Sequence, residues 1–174
     1  MSELPKYALT LWSPWPQIIV HGTKRTENRT WKPHRKVWGQ RIAIHCGKSL
    51  DQDVLEAIAK DSPSTPYGQY GHWIRQEAIR VGRDTATVGE RMYPGCIVGT
   101  AMVAGVRKGD DVKMFKGQAP ATPEEIADPW YIGAPFYGWI LRDVREVEPI
   151  KHRGAQGLWT IDGSVRGQIR EVAP

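Results

Sequence analysis

Between Gly22 and Trp31 the chain reads GTKRTENRTW, which puts Lys24, Glu27 and Arg29 within six residues. If the backbone is extended from Glu27, then Glu27 and Arg29 fall on one face of a strand, with Lys24 in the turn that feeds it. Two chemistries fit such a triad. A lysine held near a carboxylate and a guanidinium can give up its proton more readily and form an acid–base pair with Glu27. Alternatively the cations clamp an anionic group, while Glu27 accepts hydrogen bonds from the amino or imino edge of a base. A solvated cluster of weak surface ion pairs is the plain alternative.

Two more groups bear on the same question. RIAIHCGK ends with His45 and Lys48, where the histidine either lines a pocket or sits as a satisfied core residue. KHRGAQGLW places Lys151, His152 and Arg153 before Gly154 and Gly157, which flank Gln156. Glycines let backbone amides approach a ligand, basic side chains hold phosphates, and a glutamine can pair bidentately with a base edge. A hairpin turn with a basic rim reads equally well. No phosphate-binding glycine loop, dinucleotide fingerprint, metalloprotease histidine pair or nucleophile elbow occurs. Cys46 and Cys96 lack the paired spacing of a zinc site, so neither a metal nor a cofactor is expected.

These residues need elements to position them. YALTL alternates as a first strand. Ser13 then reads as an N-cap, with Pro14 at the first helical position, for a short helix ending at His21 before Gly22. TENRTW predicts a short strand and KPHRKVWG a basic loop. QRIAIHCGK is the clearest strand, with Ile42, Ile44 and Cys46 on one side and Arg41, Ala43 and His45 on the other. Helices are predicted over 51–60 and 70–82, a buried strand over 95–107, and loops over 108–136. FYGWILRDVREVEPI predicts a long strand, and GAQGLWTID and SVRGQIREV two shorter ones. Five to seven strands with a few helices give an α+β, barrel-like domain.

Composition narrows the partner. The 174 residues carry a formal charge of +5 and a sequence pI near 9.3, which favours an anionic ligand such as nucleic acid. Eight aromatics are Trp and two are Phe, a bias towards flat faces that stack on bases. Trp12, Trp15 and Trp31 bracket the charged triad as candidate stacking walls, with Ser13 beside them. No apolar run approaches the ~20 residues that cross a bilayer, and MSELPKYALT lacks a signal-peptide core. Two thiols then imply a reduced, cytoplasmic chain.

Four blocks together resemble the ASCH domain, a branch of the PUA-like superfamily: LWSPWPQIIVHGTKRTENRTW, RIAIHCGK, GCIVGTAMV and YGWILRDVREVEPIKHRGAQGLW. The most specific element is Gly22-x-Lys24-x-x-Glu27-x-Arg29, similar to that family's central signature. The resemblance implies one ASCH/PUA-like domain over 1–174, a small β-barrel with flanking helices, a helical insertion at 50–94 and a loop insertion at 108–136. It also implies a cleft for RNA, single-stranded nucleic acid or a modified nucleoside. Ligand contacts would come from Trp12, Ser13, Trp15, Lys24, Glu27, Arg29, Trp31, His45, Lys48, Lys151, Arg153 and Gln156. Some small members resemble amidohydrolases of acylated cytidine that use a lysine, a threonine three residues later and a distant glutamate. Lys24 matches the lysine, but Glu27 stands at the threonine position and removes that hydroxyl; Glu90 is a candidate for the carboxylate. Lys24 and Glu27 are therefore the catalytic candidates of a hydrolase alternative, acting on a modified base or on RNA. A protein-recruiting domain, its partner unknown, is the third possibility.

Overall fold

In the computed structural model, residues 4–51 and 92–173 are described. In chain order they form β1 (Tyr7–Ser13), α1 (Trp15–His21), β2 (Thr26–Arg29), a 3-10 turn (Arg35–Val37), β3 (Arg41–Leu50), β4 (Cys96–Lys108) and β5 (Asp111–Met114). There follow α2 (Pro123–Ile126), β6 (Tyr137–Lys151), β7 (Leu158–Thr160) and α3 (Gly163–Arg166). The helices expected at 51–60 and 70–82 fall, apart from Asp51, outside the described residues, as does Glu90.

The seven strands pair in the order β2-β6-β4-β3-β1-β7, and β5 joins β4 off that path. β1 and β3 are parallel, and the other pairs are antiparallel. Leu9 and Leu11 of β1, Ile42 and Ile44 of β3, Val98 and Val103 of β4, and Trp139 and Leu141 of β6 all gather into one core. Arg29 of β2, at one end of the strand order, donates to the Thr10 carbonyl of β1 near the other end, so the sheet curls around this core, to which α1 adds Ile19. Full burial of each large aliphatic side chain stabilises the fold by about 1.5–3 kcal/mol. The curl stops short of closure: among the described residues the pairing runs from β2 to β7 as an open path. The expectation of a barrel therefore holds only as far as a strongly curled sheet with few helices.

The opposite face is covered differently from the expectation. Ala8, Ala43 and Ile97 pack there against Val165 and Ile169. SVRGQIREV was read as a strand, but Gly163–Arg166 is a helical turn, followed by one isolated bridge between Val147 and Glu171. Asp162 decides this: its Oδ1 accepts from the Ser164 and Val165 amides at 2.9 and 3.0 Å and starts the turn. Val165 on this turn and Ile169 just beyond it both pack against the sheet. The segment 108–136 is also less loop-like than expected, since it holds β5 and α2. Thr122 closes a capping box with Glu125 at the start of α2.

The first helix sits where predicted but begins differently. Pro14 occupies the cap position, and no side chain caps the helix. Ser13 instead ends β1 and places its hydroxyl 3.0 Å from Cys46 Sγ. Gly99 lets α1 lie on the sheet, because a Cβ there would stand 2.5 Å from Val20 Cγ2. At the other end Gly22 is extended. The exposed carbonyls of Ile19, Gly22 and Lys24 are satisfied by Arg25 Nη1 at 3.1, 3.0 and 2.9 Å.

Candidate functional site

β2 carries Glu27 and Arg29 on the edge strand of the sheet, with Lys24 just before it, and pairs with β6 so that Glu27 faces Trp139 and Arg29 faces Tyr137. The extended backbone brings Glu27 and Arg29 together as the spacing predicts: Arg29 Nε lies 3.0 Å from Glu27 Oε1. Lys24 approaches the other carboxylate oxygen, Oε2, at 3.5 Å. The cluster is not solvated. Lys24 is 2% exposed and Glu27 6%, which overturns the surface-cluster alternative. Lys24 Nζ lies 5.0 Å from the Trp15 ring centroid and 5.9 Å from that of Trp130, and it donates to the Thr26 carbonyl. Burial lowers the proton affinity of Lys24 below the ordinary lysine value, against the pull of Glu27 and Asp128. Arg29 is anchored at its far end by donating to the Thr10 carbonyl at 2.9 Å.

In front of this cluster opens a cleft of about 840 Å3. Trp12, Trp15, Glu27, Arg29, His45, Lys48, Arg153 and Gln156 all line it, so three sequence blocks converge on one concavity. Trp12, 59% exposed, presents its ring to solvent at the mouth. Trp15 is fixed by donating from Nε1 to Asp51 Oδ2 at 3.0 Å. The other named residues stand back from the cleft. Lys24 lies behind Glu27, and Ser13 faces Cys46. Trp31 packs edge-on against Trp139 at 4.7 Å. Lys151 donates to the Pro94 carbonyl at 3.0 Å.

His45 is held so tightly that its tautomer can be assigned. Nε2 lies 3.1 Å from the His152 carbonyl, which can only accept, so Nε2 carries the proton. Nδ1 then accepts from the Thr10 hydroxyl at 3.2 Å, and that hydroxyl accepts in turn from Trp159 Nε1 at 2.9 Å. With both nitrogens committed, the ring shapes the wall and has no nitrogen to offer a ligand. Burial lowers its proton affinity as well. Gly154 covers the ring so closely that a Cβ would stand 2.3 Å from His45 Cε1, which no other residue type allows without movement.

His152, named in the sequence as part of a basic group, lies flat on Trp159, with centroids 5.0 Å apart and planes at 8°, and lines the cleft. Sequence reasoning missed Thr10, Asn28 and Phe136, which line it too. Asp128 accepts from the Thr26 hydroxyl and helps set the field at Lys24. Its signal was the DPW turn inside the stretch read as loop, where Trp130 is a buried anchor. Among the described residues no group of three His, Cys, Asp or Glu side chains is placed to hold a metal ion. Nor is any helix among them long and apolar enough to cross a membrane.

A curled sheet with a short helix packed against it, and a charged, tryptophan-flanked cleft beside that helix, is as expected of an ASCH domain within the PUA-like class. The chain belongs to the ASCH domain family, whose model matches residues 9–151 and whose members are generally thought to bind RNA. Solved structures of similar fold include ASCH from Zymomonas mobilis, at 14% identity over 95% of this chain and 94% of that one, TM-score 0.46. Its serine-to-alanine mutant matches at 14% identity and TM-score 0.45, over 96% and 95% of the two chains. Its tyrosine-to-phenylalanine mutant matches at 15% and 0.45, over 92% and 93%. Comparison with curated proteins finds no match.

Proposed function

We propose that this chain is an RNA- or modified-nucleoside-binding ASCH domain whose ligand base enters the cleft in front of Glu27. The observation that carries the reading is the Glu27 carboxylate itself, held from behind by Lys24 and from the side by Arg29 at the back of an aromatic-walled cleft. A carboxylate so braced cannot swing away, and each oxygen keeps a lone pair for a second donor. It selects a heterocycle edge that offers amino or imino protons. Trp12 and Trp15 supply stacking faces, worth ~1–3 kcal/mol per base, while Lys48 and Arg153 attract the flanking phosphates. We take the chain as a single domain, with its curled sheet as an opened form of the small barrel expected for the class and 50–94 and 108–136 as insertions.

The test is equilibrium binding of a nucleoside panel and a short single-stranded RNA to the parent, Trp12→Ala and Glu27→Gln. Trp12→Ala leaves the fold intact, because the ring is largely exposed, and weakens binding about tenfold or more, corresponding to ~1–3 kcal/mol of stacking. Parent-like binding by both variants overturns the site.

A hydrolase reading rests on one observation, the lowered proton affinity of Lys24 beside Glu27. Turnover of an acylated nucleoside or a short RNA, abolished in Lys24→Met while binding persists, would establish it. Absence of product with bound substrate would end it.

A further inference from the structure

Past the cleft, on the far side of the β2–β6 edge, lies a second concavity of about 170 Å3 that includes Lys32, Trp38, Lys108, Lys113 and Tyr137. Lys32 and Lys108 both reach over the Tyr137 ring, at 5.5 and 4.9 Å. Lys113 and Arg35 approach Trp38 at 5.4 and 5.6 Å. All four cations are exposed, and among the described residues none forms an ion pair. Several other cations are matched: Lys24 with Glu27, Arg41 with Asp143, Arg142 with Glu125, Arg145 with Glu171. Asp111 is the one carboxylate among the residues lining this concavity. What sets this patch apart is that four such cations gather in one place and rest on two aromatic faces.

The patch also lies a short stretch of chain away from the cleft. Phe136 lines the cleft and its neighbour Tyr137 lines the patch, while Arg29 lines the cleft and Lys32, three residues on, lines the patch. Three residues span at most about 11 Å of backbone.

We infer that this patch is a second contact surface for single-stranded nucleic acid, and that the natural ligand is an oligonucleotide rather than a free nucleoside. The inference rests on the reading of the cleft as a base site. A strand whose base occupies the cleft continues over the β2–β6 edge, its phosphates meeting Lys32, Lys108 and Lys113. Those cations then leave the Tyr137 and Trp38 rings, on which the next bases stack. An acidic protein would match the charge alone, whereas flat rings lying beneath displaceable cations suit alternating phosphates and bases.

The experiment compares dye-labelled single-stranded RNAs of about three and about twelve nucleotides, with the parent, Trp12→Ala, and the triple variant Lys32→Ala/Lys108→Ala/Lys113→Ala. The triple variant should bind the longer RNA at least about tenfold more weakly. Its dependence of log affinity on log salt should be shallower by about 2, from three lost phosphate contacts. Its affinity for the shorter RNA and its melting temperature should match the parent. Parent-like affinity and salt slope for the longer RNA overturn the proposal, as does failure of the parent to bind it. Equal competition by polyglutamate, charge for charge, overturns the nucleic-acid assignment. If Trp12→Ala binds both probes normally while the triple variant loses the longer one, the cleft reading falls and the surface stands. The reverse pattern retains the cleft and removes the surface.

Discussion

Lys24 Nζ and Glu27 Oε2 stand 3.5 Å apart where almost no water reaches either group, and Arg29 holds the opposite carboxylate oxygen at 3.0 Å. The carboxylate is thus the centre of a buried triad and not one half of a simple pair. Removing it leaves two like charges facing each other without their shared partner, whereas removing Lys24 leaves Glu27 still paired. Breaking a buried pair from one side costs about 3–5 kcal/mol. Glu27→Gln is therefore expected to lose about that much in urea denaturation, and Lys24→Met less than half of it, since methionine keeps the apolar stem between Trp15 and Trp130. Equal losses in the two variants would show that Arg29 does not brace the carboxylate.

The same burial gives Lys24 a signature in alkali. Its proton affinity in the fold lies below the ordinary lysine value, about 10.4 in an unfolded chain. Between those two values the unfolded chain holds a proton that the fold has released, so stability gains from Lys24 as pH rises through that window. Chemical denaturation of the parent minus that of Lys24→Met, taken from neutral pH up to about 10.4, should slope upward. A flat difference would mean that the lysine titrates as if exposed.

His45 predicts a dependence of the same sign in acid. Its neutral form is locked between the Thr10 hydroxyl and the His152 carbonyl, and burial lowers its proton affinity below the usual histidine value, about 6.5. As pH falls below that value the unfolded chain takes up a proton that the fold refuses. Stability falls until the lowered folded value is reached, then this contribution levels off. His45→Gln should flatten that decline, and imidazole nitrogen resonances of the parent should report the Nε2–H tautomer at pH values where an exposed histidine is charged. A ring that takes up its proton at or above the usual histidine value, about 6.5, would refute the assignment.

What the sequence made legible followed from short-range rules. Period-two alternation located β1, β3 and β6, a β-rich apolar run located β4, and the two-residue offset of Glu27 and Arg29 placed them on one face, where they pair. The burial of Lys24 was not legible, because it depends on Trp130, Asp128 and Thr26. The first two arrive from more than a hundred residues away through a segment whose turn-rich composition reads as loop. The same limit explains Ser13. Its type suits a helix cap, but β3 brings Cys46 within reach and the hydroxyl turns that way. At the C-terminus, Val165 and Ile169 are compatible with either period, and the Asp162 cap decides in favour of a helical turn.

Gly154 is the position where one added methyl group should do the most damage to the cleft without touching the core. A Cβ there would stand 2.3 Å from His45 Cε1 and 2.5 Å from Nδ1, inside any permitted contact. The imidazole cannot retreat, since moving it breaks its bonds to Thr10 and to the His152 carbonyl and disturbs Trp159, whose Nε1 depends on the same hydroxyl. The loop must therefore lift, carrying Arg153 and Gln156 away from the cleft they line. Overpacking of this kind costs about 1–3 kcal/mol, so Gly154→Ala should melt a few degrees lower while keeping the parent's far-ultraviolet circular dichroism. Binding of a short single-stranded RNA should fall further than that stability loss accounts for. The double variant Gly154→Ala/His45→Ala, in which the obstructing ring is gone, should regain part of the affinity. If the double variant binds no better than Gly154→Ala alone, the close approach of this loop to His45 is not what shapes the cleft.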